Sequence, residues 1–85
     1  PLKKYFQSGE INSTVKNVDD KLKSIEKDYG NGKILHLDGL SIYYDDWWFN
    51  IRPSNTEPLL RLNLEAHTKK KMEEKRDELL KKIRY

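Results

Sequence analysis

Apolar residues recur along this chain with two different periods, and the change from one to the other marks out its elements. Val18, Leu22, Ile25 and Tyr29 stand three or four apart, the spacing that lines one face of an α-helix. Asn17 can cap that helix, and Asp19 and Asp20 fall in its first turn, where the helix dipole favours acids. Gly30 is expected to end it, and Asn31-Gly32 to turn the chain. The period then becomes two. Residues 34–37 and 40–44 read as strands joined through Asp38-Gly39, a strong hairpin signal. Asp45-Asp46 reads as a second turn, leading into a strand over 47–52. Residues 59–65 alternate, with Leu60, Leu62 and Leu64 on one face and Arg61 and Asn63 on the other. Thr68 can cap a last helix whose apolar side carries Met72, Leu79, Leu80 and Ile83. Asp77 with Lys81, and Glu78 with Lys82, are spaced to pair one turn apart.

Upstream, residues 10–15 read as a short strand. Residues 1–9 read as a leader or linker from a preceding domain, with Leu2, Tyr5 and Phe6 as apolar anchors and Ser8-Gly9 as a break. The expected order is β-α-β-β-β-β-α over a domain at 10–85. Antiparallel hairpins with two helices on one face of the sheet make an α+β fold of two layers. No internal repeat and no low-complexity tract interrupts it.

Composition narrows the function classes. A chain of 85 residues allows one modest core, burying about 60–65% of its unfolded surface. Hydrophobic residues at 35% and charged residues at 36% are outside the disordered range. The net charge of +3 favours anionic ligands only mildly. The absence of cysteine excludes disulfide and thiolate chemistry and fits a reducing, cytoplasmic setting. No apolar run approaches the length of a membrane span and no signal peptide is evident, so no membrane partner is expected. Pro1 stands where a Met would begin a gene product, which reads as an excised fragment of a longer parent.

The residues from Phe49 onward, Asn-Ile-Arg-Pro-Ser-Asn-Thr-Glu-Pro-Leu-Leu-Arg, carry the strongest chemical signal. They place Arg52 and Arg61, the hydroxyls of Ser54 and Thr56 and the amide of Asn55 around a loop bracketed by Pro53 and Pro58. Arginine is always charged and offers a rigid fork of N–H donors matched to phosphate oxygens. The prolines fix their own φ and push Arg52 and Glu57 toward extended backbone. The loop is thus expected to be stiff, so that little ordering entropy is lost when an anion binds.

Arg52-Pro-Ser-Asn-Thr-Glu-Pro, followed by Arg61 and by Asn-Leu-Glu-Ala, resembles the phosphate-binding loop of the α-D-phosphohexomutases, which include phosphomannomutases, phosphoglucomutases and phosphoglucosamine mutases. Ser8-Gly9-Glu10-Ile11-Asn12 resembles the opening of their C-terminal domain, and Asp38-Gly39 and Trp48 also fall in place. The resemblance implies a TATA-binding-protein-like fold and a role as the fourth domain of a four-domain mutase. In such enzymes a phosphoserine in the first domain donates the phosphoryl group. Mg²⁺ sits on an Asp-rich loop in the second, the third selects the sugar, and a hexose 1,6-bisphosphate is the intermediate. Carried over residue by residue, Arg52, Ser54, Asn55 and Thr56 are the phosphate ligands. Arg61 is a further candidate that could instead pair with Glu57. Asn55, where many relatives have Gly, leans toward the phosphomannomutase/phosphoglucomutase branch. The implied substrate is a hexose phosphate, and the implied partners are the parent's other three domains. With no matching catalytic serine motif, metal loop or sugar-selecting loop, this chain alone is expected to be inactive.

Other readings stand beside this one. Tyr43, Tyr44, Trp47 and Trp48 could form a base-stacking platform of a stand-alone nucleic-acid-binding module, or serve as core and cross-strand packing. A generic regulatory or interaction domain is a third possibility. His36 and His67 read as structural or solvent-exposed, Asp45-Asp46 as a turn and not a metal site, and Lys69-Lys70-Lys71 as a solvated face.

Overall fold

The computed structural model describes residues 5–85. Its elements are β1 (Phe6–Gln7), β2 (Ile11–Thr14), α1 (Val18–Asp28), β3 (Lys33–Leu35), β4 (Leu40–Tyr43), β5 (Trp47–Pro53), β6 (Leu59–Ala66) and α2 (Lys69–Arg84). All the described pairings are antiparallel, in the order β1-β6-β5-β4-β3, with β2 also on β6. The α+β class and the order of the longer elements follow the sequence pattern. The leader does more than link, because Phe6 pairs with Ala66 and Gln7 with Glu65. β1 and β2 thus run end to end along one edge of β6, interrupted at Ser8-Gly9. There Gly9 has φ +73°, and Ser8 Oγ accepts from the Leu64 amide at 3.1 Å. Leu2 lies outside the described residues.

The core lies between the sheet and both helices. Trp47, Phe49 and Ile51 from β5 and Leu60, Leu62, Leu64 and Ala66 from β6 point to the same side and are buried. Ile25 from α1 and Met72, Leu79 and Ile83 from α2 close over them in one cluster. Tyr29 packs edge-on against Trp47 and Phe49, with centroids 6.1 and 5.3 Å away. Among the described residues the opposite sheet face carries no helix, and most of its alternate positions are polar or half-buried.

Asn17 and Thr68 cap the helices as their positions imply, accepting from the Asp20 and Lys71 amides. Two local expectations are revised, and two others hold in more detail. The strand expected over 34–37 ends at Leu35, and Leu37, at the hairpin turn and in phase with the open face, is 93% exposed. α1 ends just before Gly30, as expected, but without a left-handed glycine: the Tyr29 amide bonds back to Ile25 while its ring is anchored in the core. The two pairs expected along α2 are replaced by other contacts. Lys82 reaches Asp28 of α1 at 3.1 Å, Glu78 takes Lys75 and the Tyr29 hydroxyl, and Asp77 takes Arg76. Lys82 and Glu78 turn partly toward α1, and the remaining pairs along α2 are worth only a few tenths of a kcal/mol each, so their spacing is easily exchanged. The aromatic run serves as core and cross-strand packing, as expected, divided between the two faces of the sheet. Trp47 and Tyr44 stack at 4.7 Å on the core side, whereas Tyr43 and Trp48 stack on each other at 5.4 Å on the open side.

Candidate functional site

Register alone brings two arginines together. β5 and β6 pair so that Arg52 stands opposite Arg61, and β2 adds Asn12 opposite Arg61 on the far side. Arg61 alternates with buried Leu60 and Leu62, and buried Ile51 and Ser13 adjoin Arg52 and Asn12, so the row Asn12–Arg61–Arg52 crosses the open face. Extending the β4–β5 register by one step, from Leu40 opposite Ile51, brings Gly39 beside Arg52. Gly39 has φ +78°, and a Cβ there would lie 2.5 Å from the Ile51 carbonyl oxygen and 2.8 Å from Arg52 Cγ. Glycine is needed for the turn and for this close approach. Asn50 Nδ2 secures the turn from below by donating to the Asp38 carbonyl at 2.7 Å.

The loop after β5 is organised around Ser54. Its Oγ accepts from the amides of Thr56 and Glu57, both at 3.3 Å, while its own amide donates to the Leu59 carbonyl at 3.2 Å. Ser54 therefore closes the loop, with its hydroxyl also 3.5 Å from that of Thr56. The Pro58 carbonyl accepts from Val15, tying the loop to the end of β2. Backbone and side-chain hydrogen bonds thus tie the loop to itself and to β2.

A cavity of about 550 Å³ results, lined by Asp38, Gly39, Arg52, Pro53, Ser54, Asn55, Thr56 and Arg61. All five residues singled out as phosphate ligands meet there, and its polar surface suits a small anion. Arg61 Nε is buried with no hydrogen-bond partner among the described residues. A buried unsatisfied N–H is costly unless something else accepts it. No Arg61–Glu57 ion pair forms among the described residues. Arg52 instead meets carboxylates, Asp38 at 3.5 Å and Glu10 at 3.9 Å. Sequence reading did not place Asp38 and Gly39 at this cavity, or Glu10 beside Arg52. Counting the hairpin register from Leu40 could have found Gly39 and its neighbour Asp38; Glu10 has no local signal.

Other candidates resolve differently. His36 pairs with Glu26 at 2.8 Å, and His67 meets Tyr5 edge-on at 4.8 Å, both outside the cavity. Asp46 pairs with Lys71 across the other end of the sheet. No group of three His, Asp or Glu side chains converges among the described residues. No helix among them is long and apolar enough to cross a membrane. A second cavity, of about 460 Å³, lies on the open face over Ser41, Tyr43, Trp48, Asn50 and Glu65. Its polar groups largely satisfy one another: Trp48 Nε1 and Gln7 Nε2 both donate to Glu65, and Asn50 donates to Ser41.

Comparison with known proteins gives this geometry a context. Over 76 residues the chain is 53% identical to a phosphomannomutase of Methanocaldococcus jannaschii, covering 89% of the chain and 17% of that protein. It is 41% identical over 75 residues to a probable phosphoglucosamine mutase of Pyrococcus furiosus, covering 88% of the chain and 15% of the relative. A phosphomannomutase of Escherichia coli is 44% identical over 61 residues, covering 69% and 13%. The chain thus spans less than a fifth of the length of these relatives. The family model described as the phosphoglucomutase/phosphomannomutase C-terminal domain matches residues 10–82. With that match covering both cavity arginines and the loop between them, the chain belongs to the phosphoglucomutase/phosphomannomutase C-terminal domain family.

Proposed function

We propose that this chain is the substrate-phosphate-binding domain of a phosphohexomutase that interconverts hexose 1-phosphates and 6-phosphates, with mannose or glucose as the sugar. The observation that supports it is the meeting of Arg52, Arg61, Ser54, Asn55 and Thr56 in one polar cavity. The high identity to a phosphomannomutase favours mannose.

In this reading the non-reacting phosphate is a handle. It carries close to two negative charges and three acceptor oxygens. Each charge-assisted hydrogen bond to it contributes roughly 1.5–3 kcal/mol. Arg52 and Arg61 supply the charge, Arg61 Nε gains the acceptor it lacks, and Asn55 and Thr56 add polar donors. The contacts involve phosphate and not sugar, so either end of a bisphosphate fits. Holding one end positions the other for transfer, which turns remote binding energy into orientation. The phosphoserine, the Mg²⁺ and the sugar-selecting residues are assigned to the rest of the parent protein. The bisphosphate intermediate turns over in the cleft formed with those parts.

The test is an ¹⁵N-resolved titration of the chain with mannose 6-phosphate, inorganic phosphate and an oligonucleotide. Millimolar affinity is expected for the phosphates, equivalent to about −4 kcal/mol. Shifts should concentrate at residues 52–56, with a smaller response at Arg61. Shifts centred on Tyr43 and Trp48, or a stronger response to the oligonucleotide, would overturn the reading.

A further inference from the structure

Arg52 enters its cavity already engaged. Asp38 Oδ2 lies 3.5 Å from one guanidinium nitrogen and Glu10 Oε1 lies 3.9 Å from the other. Both carboxylates are carried on neighbouring elements of the fold. Asp38 sits on the hairpin turn whose carbonyl Asn50 fixes, and whose next residue, Gly39, lies against the Arg52 stem. Glu10 follows the Ser8-Gly9 interruption, where β1 gives way to β2. Neither acid is consumed by another ion pair among the described residues.

From this arrangement we infer that Asp38 and Glu10 are positioning residues that share Arg52 with the ligand, so that the cavity works by exchanging carboxylate for phosphate. The inference rests on the phosphate-handle reading. Without an anion, the cavity holds two arginines face to face, and like charges directly opposite across a ladder repel. The two acids offset that repulsion and keep Arg52 extended toward the loop. They also oppose a dianion: Asp38 lines the cavity itself, so a phosphate on Arg52 sits beside a carboxylate. The acids therefore lower affinity while preserving geometry. A handle that must be released and regripped at the other end of a bisphosphate gains from a grip limited in this way. The Asp38 side chain is 78% exposed, so its hold on Arg52 is weak and readily exchanged.

The test compares dissociation constants for inorganic phosphate at fixed ionic strength in the wild-type chain and in Asp38→Asn, Glu10→Gln and Asp46→Asn. Asp46→Asn removes the same charge at the far end of the sheet, where Asp46 pairs with Lys71. Removing Asp38 should tighten phosphate binding roughly three- to ten-fold, the scale of one or two exposed charge interactions. Glu10→Gln should act in the same direction, and Asp46→Asn should stay near the wild type. If Asp38→Asn does not fold, Glu10→Gln carries the comparison. Equal tightening in Asp38→Asn and Asp46→Asn, or unchanged or weaker binding in Asp38→Asn, would overturn the exchange. A wild-type response at residues 52–56 in that case would leave the handle reading intact. No response to phosphate in any variant would bring down both.

Discussion

Arg52 and Arg61 stand directly opposite each other across β5 and β6, two positive charges on one rung of a ladder. Their separation in the chain hides this, because a loop of hydroxyl and amide residues lies between them. The same rung that costs stability in the free domain is what an anion would relieve.

Arg52→Ala should abolish most of the phosphate response while leaving the fold intact. The side chain is half-exposed and its ion pairs are surface contacts. Stability should change by less than about 0.5 kcal/mol. Affinity should fall at least about ten-fold, the loss expected from removing a charged hydrogen-bond donor. A titration and a melt of the same sample check both halves. In the full-length parent the same change should raise KM and lower kcat, since a misheld handle misplaces the reacting hydroxyl.

Gly39→Ala should couple stability to binding. The added Cβ meets the Ile51 carbonyl at 2.5 Å on a backbone with φ +78°. A loss of about 1–3 kcal/mol is expected from the strained conformation alone. Because Arg52 Cγ is the next atom struck, the guanidinium shifts and phosphate affinity falls too. Urea unfolding with a parallel titration would show both effects; a stability loss without any change in affinity would contradict the coupling.

Phe49→Ala should come close to unfolding the domain. Phe49 is fully buried beneath Tyr29 and beside Trp47. Large-to-small changes at such sites cost about 3–5 kcal/mol, against a total near 5–10 kcal/mol for a domain this small. The denaturation midpoint should drop steeply, and the cooperative transition should weaken.

Stability should fall on the alkaline side, and Tyr29 should be a main cause. Burial first, then the hydrogen bond and the charge of Glu78, push the Tyr29 hydroxyl far above its ordinary 10.0. Tyr44 moves in the same direction, again chiefly through burial. With the folded pKa raised, the contribution is fully present below the unfolded value. It is lost as pH climbs past about 10, where the unfolded chain releases protons that the folded chain retains. Urea midpoints should be flat below about pH 9 and decline above about pH 10. Tyr29→Phe should flatten that decline. An unchanged slope would show that the proton is lost elsewhere.

Much of this fold was legible along the chain. The stripe of Val18, Leu22, Ile25 and Tyr29, the alternation of Leu60, Leu62 and Leu64, and the turn at Asp38-Gly39 are local consequences of period and backbone preference. Each is visible within a few residues. The loop between Arg52 and Arg61 was legible for the same reason, since its donors and prolines are contiguous. The strand at Phe6–Gln7 was not, because two residues carry no period of their own and are held by pairing with Ala66 and Glu65.

Sequence by itself determined which residues could form helices, strands and a stiff donor-rich loop, because those preferences act between near neighbours. Tertiary structure decided which of them share a surface. Only pairing across β2, β6, β5 and the hairpin turn sets Arg61 beside Arg52, presses Gly39 against the Arg52 stem and turns Asp38 into the cavity. The aromatic run was divided in the same way: adjacent strand residues point to opposite faces, and burial against α1 and α2 chose which face became core. Charge partners were the least legible of all. A long side chain such as Lys82 or Arg52 takes whichever opposite charge the fold brings within reach, and that follows from register and packing, not from spacing along the chain.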